Sequence, residues 1–237
     1  LESLAPTYER AREAQKRILQ KTKQWDRMAA VLEREVTHAT DAALRLEARR
    51  RLARLYLEKL SDSRRAVATY RQILETEPHD NVAFRALVEI FEREEAWADL
   101  ARTLRDQLPQ AGKQERAGLL RRLVGLYDER LGALDDAAWA ATELLVAMPG
   151  DREAFGRLEA VLERQGDRAR LADTLEAHLA FAVGEERNGL LEHAARLRQL
   201  ELGQPERAVA LWEELLRSVP GDPGALDALA AAYEALG

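Results

Sequence analysis

The sequence repeats itself every 71 residues, and this repeat constrains the fold more than any other feature. The triplet Pro-x-Asp recurs at that spacing, starting at Pro78, Pro149 and Pro220. The same shift also aligns apolar positions on both sides of the triplet: Leu74, Leu145 and Leu216; Ala83, Ala154 and Ala225; Leu87, Leu158 and Leu229. Agreement at so many apolar positions predicts an internal repeat in which each copy is a structural unit.

Within each copy, apolar residues recur three and four positions apart, which predicts helices with one buried face. Ala, Leu, Arg and Glu dominate, whereas aromatic residues make up only 5% of the chain. That composition favours helices over strands. The expected helix breaks are Leu60-Ser61, Pro78, Pro109, Gly132, Pro149, Gly166, Gly203 and Pro220. Each full copy is therefore predicted to hold two helical hairpins, with about thirteen helices in the chain and no strand.

The Pro-x-Asp triplet is interpreted as the boundary between successive hairpins. Proline lacks an N–H group and disfavours the α conformation of the residue before it, so it ends a helix. The aspartate two positions later is expected to cap the next helix by accepting hydrogen bonds from free backbone N–H groups. These predicted caps are Asp80, Asp151 and Asp222. The triplet is therefore predicted to be structural and not catalytic.

Hairpins of this length resemble the tetratricopeptide repeat (TPR), a helix-turn-helix unit with a set pattern of small and large apolar residues. One hairpin matches the family pattern at Leu52, Ala53, Tyr56, Ala66, Tyr70, Ile73, Leu74 and Pro78, with one extra residue in its turn. The next matches at Phe84, Leu87, Val88, Phe91, Leu100 and Leu104. The extra residue recurs between Tyr127 and Ala137, so it belongs to the repeat. The resemblance covers residues 42–237, and the run from Trp25 to Val36 extends it backwards.

The resemblance implies an all-α fold, a right-handed α-solenoid of stacked hairpins. Residues 1–237 are expected to form a single array: a partial repeat over 1–41, then copies over 42–109, 113–182 and 185–237, the last truncated. A repeat leaves an apolar face for its neighbour. Leu226, Leu229 and Tyr233 are therefore expected to lose cover at the end of the chain. From this we expect further repeats in the natural protein, and self-association through the truncated end.

Several kinds of chemistry are disfavoured by composition and spacing. The net charge of −6 argues against nucleic-acid binding, and no apolar run is long enough to span a bilayer. The histidines are interpreted as surface or partly packed residues because they are scattered and lack metal-ligand spacing: His38, His79, His178 and His193. No serine sits in a Gly-x-Ser-x-Gly turn. We expect no catalytic, cofactor-binding or metal site, and a chain that is not an enzyme.

In the TPR family the first helix of each hairpin lines a concave face that binds extended peptides or helices. Carried over to this chain, the resemblance places a row of mostly basic residues on that face: Arg50, Arg54, Arg85, Glu89 and Arg121. Arginine binds carboxylates in a bidentate manner, so an acidic peptide or protein surface is the expected partner. The alternative is that these arginines pair internally with Glu47, Glu89 and Glu92. Later first helices carry Gly156, Glu192 and Asp227 at the same position.

Trp139 is a second candidate contact, because its counterparts in the other copies are Ala68 and Ala210. It lies off the predicted buried stripe, and tryptophan is common at interface hot spots; the alternative is a tryptophan packed over a neighbouring helix. The leading prediction is a protein-interaction scaffold or adaptor segment. The alternative is a ligand-sensing or regulatory TPR domain of a larger enzyme or transcription regulator. The excess of arginine over lysine suggests a bacterial source, and we expect a cytoplasmic location.

Overall fold

The computed structural model describes residues 5–237, with side chains from residue 11 onward. This part of the chain contains thirteen α-helices and no strand, as the repeat predicted. It divides into two compact units, here called unit 1, which ends at Gln110, and unit 2, Ala111–Gly237. The division falls between the first two predicted copies. The predicted all-α arrangement of helical hairpins is confirmed for the described residues.

Unit 1 contains six helices, and the extensive contacts join helices that are consecutive in the chain. They are α1 (Ala5–Lys21), α2 (Trp25–His38), α3 (Ala42–Glu58), α4 (Ser63–Thr76), α5 (Asn81–Arg93) and α6 (Trp97–Gln107). Consecutive contacts are those of stacked hairpins, in which each helix covers the apolar face of the next.

Unit 2 contains seven helices packed in the same consecutive order. They are α7 (Lys113–Gly125), α8 (Leu134–Ala147), α9 (Arg152–Gln165), α10 (Arg168–His178), α11 (Gly184–Arg196), α12 (Pro205–Ser218) and α13 (Pro223–Leu236). Two of them, α7 and α11, continue into short π-helical segments, Leu126–Leu131 and Leu197–Glu201.

The predicted helix caps are present at all three Pro-x-Asp triplets. The Asp80 carboxylate accepts from the backbone N–H groups of Val82 and Ala83, at 3.0 and 2.8 Å. Asp151 and Asp222 each accept from the N–H group three residues later, at 3.0 and 2.8 Å. Each aspartate therefore satisfies a donor that the first helical turn would leave without a partner. The structural interpretation of the triplet is confirmed.

The extra residue in each long hairpin is absorbed at the end of the first helix. There the backbone N–H donates to a carbonyl six residues back, in a widened turn. This bond recurs in the three copies: Asp62 to Tyr56 (2.8 Å), Ala133 to Tyr127 (2.8 Å) and Gln204 to Arg198 (2.7 Å). In α7 and α11 the widened turn follows a π-helical segment. The insertion is thus a regular part of the repeat, as the sequence predicted.

The turns between paired helices use one residue in the left-handed conformation. In the long hairpins this residue is Ser61 (φ 53°), Gly132 (φ 61°) and Gly203 (φ 60°). The short hairpins use Glu95 (φ 53°) and Gly166 (φ 71°) in the same way. Glycine adopts this conformation without a Cβ clash, whereas the serine and the glutamate incur a conformational cost.

The core is built from the repeat's apolar positions. The side chains of Leu87 and Leu158 are 1% and 3% exposed, as expected for equivalent core residues. Trp212 is also buried, and its indole N–H donates to Gln199 Oε1 at 2.9 Å. Leu229, which occupies the same position as Leu87 and Leu158, is only half-buried on α13.

Candidate functional site

Arg50, one of the predicted site residues, lies on α3 in an ion pair with the helix cap Asp80. Its Nη2 is 2.5 Å from Asp80 Oδ2, and its Nε donates to the same oxygen at 2.8 Å. The Asp80 side chain is only 1% exposed. Asp80 therefore bonds the α5 backbone through one oxygen and Arg50 through the other, which ties α3 to the start of the next hairpin.

Arg121 makes the same contact in unit 2, where its Nη2 is 2.5 Å from Asp151 Oδ2. Burial works against the ionised Asp151 carboxylate, but the Ala154 N–H and the Arg121 guanidinium hold its pKa below the usual value. Arg50 and Arg121 are thus paired internally, although with the cap aspartates and not with Glu47, Glu89 or Glu92. The third copy lacks the pair because Glu192 replaces the arginine and bonds Arg196 on its own helix.

Arg54 and Arg85, on α3 and α5 of unit 1, differ from these two arginines. Both side chains are exposed, and neither has an ion-pair partner among the residues that the structure describes. Burial raises the pKa of the Tyr70 hydroxyl. The charge of Arg54 lowers this pKa, and the charge of Glu89 raises it. Arg54 and Glu89 therefore both lie near this hydroxyl. Unit 1 thus brings Arg54 and Glu89 to one region, with Arg85 one turn before Glu89 on α5.

Trp139 lies on α8 of unit 2 and is half-buried. It takes part in an interaction within the protein, so it is not an isolated aromatic residue on a polar surface. Its role as a contact for a partner stays a prediction.

One group of side chains was not foreseen in the sequence. Glu159 and Glu163 of α9 and His193 of α11 bring potential metal-ligand atoms within 4.8 Å of one another. His193 Nδ1 is 3.5 Å from Glu159 Oε1, and burial raises the pKa of Glu159. Sequence spacing could not reveal this group because α9 and α11 belong to different hairpins. Glu163 is exposed, and acidic groups often cluster on helix faces without an ion, so proximity alone does not define a metal site.

The last helix, α13, has an apolar face that is largely uncovered. Leu226 and Tyr233 are 48% and 49% exposed, and Leu236 is 42% exposed. The Tyr233 hydroxyl donates to Glu213 Oε1 at 2.6 Å. Self-association through this end stays a prediction. None of the helices in the described part of the chain is both long and apolar enough to cross a membrane.

No protein-family model matches the chain, and no curated protein matches it in sequence. Among solved structures, the chain is similar to YrrB, a TPR protein with an unusual peptide-binding site. That match has 16% identity, covers 76% of this chain and 90% of the other, and has a TM-score of 0.38.

Two further solved structures are similar to the chain. Naa15/Naa10 bound to HypK-THB shows 18% identity over 92% of this chain and 32% of the other, with a TM-score of 0.45. PilF of Pseudomonas aeruginosa shows 12% identity over 94% of this chain and 98% of the other, with a TM-score of 0.36. At this level of similarity the function has to be argued from the chain's own surface.

Proposed function

We propose that the chain is a non-catalytic protein-interaction module that recruits an acidic polypeptide through the first helices of its hairpins. The observation that carries the proposal is the pair of exposed arginines without an ion-pair partner in the described residues, Arg54 and Arg85. Several other arginines of α3 to α9 are held by a carboxylate of another helix, as Arg71 is by Asp99 at 2.6 Å. Two guanidiniums that stay available are suited to bidentate contacts with carboxylates.

The paired arginines have a different role in this proposal. Arg50 and Arg121 hold the cap aspartates, so they support the face and are not its primary contacts. Glu89, next to the Arg54 region, would disfavour a partner carboxylate at its own position and so restrict the register of an acidic segment. Trp139 lies in unit 2 and is proposed as a separate, apolar contact.

The proposal is tested with a fluorescein-labelled oligo-glutamate peptide and the full chain. Reversing both charges, Arg54→Glu with Arg85→Glu, is expected to abolish binding without loss of helicity. The matched control reverses two exposed arginines on second helices of the same unit, Arg64→Glu with Arg102→Glu, and should leave binding near the wild-type level. Both double variants change the net charge equally. A difference in peptide binding between them therefore depends on the positions of the arginines and not on the overall charge.

Salt dependence provides the second measurement. Binding through exposed guanidiniums should weaken as salt rises, because charges are screened beyond about 8 Å at physiological ionic strength. Equal loss of binding in the two double variants would mean that the peptide responds only to net charge. Full binding by the Arg54→Glu and Arg85→Glu variant would place the contact elsewhere on the chain.

A further inference from the structure

Unit 2 contains an apolar pocket, here called the His178 pocket, between α8, α9 and α10. Its volume is about 360 Å³. The apolar part of its lining includes Leu145, Val146, Phe155, Leu158 and Phe181, and the polar part consists of Thr142, Arg170, Asp173, Thr174 and His178. Phe155 and His178 stack with their ring centroids 3.9 Å apart, and Phe181 is tilted against His178 at 5.8 Å. Aromatic rings thus form part of the pocket wall, and the buried residue Leu158 also lines it. Such surroundings suit a ligand group of aromatic shape.

His178 is a buried polar group without a protein partner. The residue is 4% exposed, and its imidazole forms no hydrogen bond to the described residues. Among the described residues, the completely enclosed polar side-chain atoms without a partner are on Arg49 and Gln165, so the imidazole nitrogens of His178 are not completely enclosed. A buried polar group is usually hydrogen-bonded, so an imidazole that lines a pocket without a protein partner is open to a hydrogen bond from a ligand. Burial lowers the pKa of His178, and the neutral ring offers one donor and one acceptor.

Unit 1 has an equivalent pocket, in which the residue at the position of His178 has a hydrogen-bond partner within the protein. It has a volume of about 330 Å³, and each of its nine lining positions has a counterpart 71 residues later in the His178 pocket. The position of His178 is taken by Gln107, whose amide donates to the Pro78 carbonyl at 3.2 Å. Val146 is replaced by Glu75. The apolar lining and the unpartnered polar group are therefore features of unit 2 and not of the repeat.

The surroundings of the pocket indicate how large its ligand is. Val146 and Phe181, on its rim, are 74% and 47% exposed, so apolar surface extends beyond the cavity. Val183, two residues after Phe181, is also 74% exposed. A small molecule held in the cavity would leave much of this surface in water, whereas a polypeptide with an inserted side chain would cover it.

We infer that the His178 pocket receives a tyrosine or tryptophan side chain of a partner polypeptide, with the neutral polar tip of that side chain bonded to His178. This inference rests on the proposed function because both assign a polypeptide ligand. The His178 pocket is, however, a different surface from the one that carries Arg54 and Arg85. Tyrosine and tryptophan combine an aromatic body with one neutral hydrogen-bonding group.

The test uses the full chain labelled with ¹³C at histidine Cε1, titrated with N-acetyl-tyrosinamide and N-acetyl-tryptophanamide. The chain has four histidines, so three serve as internal controls. The His178 resonance is expected to shift saturably while the other three stay in place. N-acetyl-phenylalaninamide, which lacks the polar tip, should bind roughly three- to tenfold more weakly. Because the probes are amino-acid amides, this result is independent of the experiment on Arg54 and Arg85.

Variants at exposed rim residues avoid a loss of folding. Val146→Glu, which introduces the residue of unit 1, should weaken tryptophanamide binding by about tenfold. Leu200→Glu, at an apolar residue of unit 2 that is 75% exposed and does not line the pocket, should leave it unchanged. No saturable His178 shift, equal affinity for phenylalaninamide, or unaltered binding by Val146→Glu would each overturn the inference.

A phage-displayed random peptide library tests the polypeptide nature of the ligand. Peptides selected on the wild-type chain and lost on Val146→Glu are expected to contain tyrosine or tryptophan. Selected peptides that depend on Val146 but contain neither residue would overturn the inference, as would the absence of any peptide that depends on Val146.

Discussion

The two units are alike at the positions that join hairpins and differ at the positions that line a pocket. Where hairpins join, the units agree: Arg50 bonds Asp80 in unit 1, and Arg121 bonds Asp151 in unit 2. Where a pocket opens between the helices, they differ, because Gln107 bonds a backbone carbonyl whereas His178 stacks on a phenylalanine ring. The joining contacts keep the repeat geometry, and the lining positions are free to take up separate binding roles.

The largest expected effect tests whether the two units are equivalent in their cores. Leu87→Ala and Leu158→Ala should each destabilise the protein by about 2–5 kcal/mol, through lost burial and a new cavity. Amide hydrogen exchange of α5 and α9 measures the two effects separately. Unchanged amide exchange of α9 in the Leu158→Ala protein would mean that Leu158 does not stabilise α9. The cores of the two units would then not be equivalent at this position.

The joining ion pairs are expected to contribute unequally. Arg50→Met should cost roughly 1–3 kcal/mol because it leaves the buried Asp80 carboxylate without its cation. Arg121→Met should cost about 0.5–1 kcal/mol, since the Arg121 side chain is 44% exposed and the pair is better hydrated. Glu192→Arg, which restores the arginine in the third copy opposite Asp222, should stabilise by a few tenths of a kcal/mol. Urea unfolding of the three variants measures these differences.

Acid provides the control for the Arg121 pair. Because the pKa of Asp151 is lowered in the folded chain, its contribution is complete above its unfolded pKa of about 3.9 and is lost as the pH falls through the folded value. Wild type and Arg121→Met should therefore converge in stability at low pH. A difference that persists in acid would mean that lost packing of the arginine stem, and not lost charge, causes the destabilisation.

The smallest effect concerns the turn residues. Ser61 and Gly132 occupy the same left-handed position in the two units, so their substitutions should act in opposite directions. Ser61→Gly should stabilise unit 1, and Gly132→Ala should destabilise unit 2, each by about 1 kcal/mol. Thermal unfolding checks the signs. Destabilisation by Ser61→Gly would mean that the serine side chain stabilises its turn by more than its strained backbone costs.

The sequence predicted the fold in considerable detail because its signals are local and repeated. The 71-residue spacing, the three- and four-residue apolar periods and the Pro-x-Asp caps each depend on neighbours within one or two helical turns. Asp80, Asp151 and Asp222 cap their helices as predicted. The number of helices and the recurrence of the extra turn residue are likewise confirmed.

The surface was less predictable because its chemistry depends on residues that are distant in the chain. Arg50 and Arg54 look alike in sequence, yet only Arg50 faces a cap aspartate 30 residues away. His178 was interpreted as a surface or partly packed histidine, but Phe155 and Phe181 enclose it. The sequence by itself determined the repeat, the helices and their caps, since these follow from local backbone physics. Only the tertiary structure decided which arginines remain available and which histidine lines a pocket, because both depend on which side chains the hairpin packing brings together.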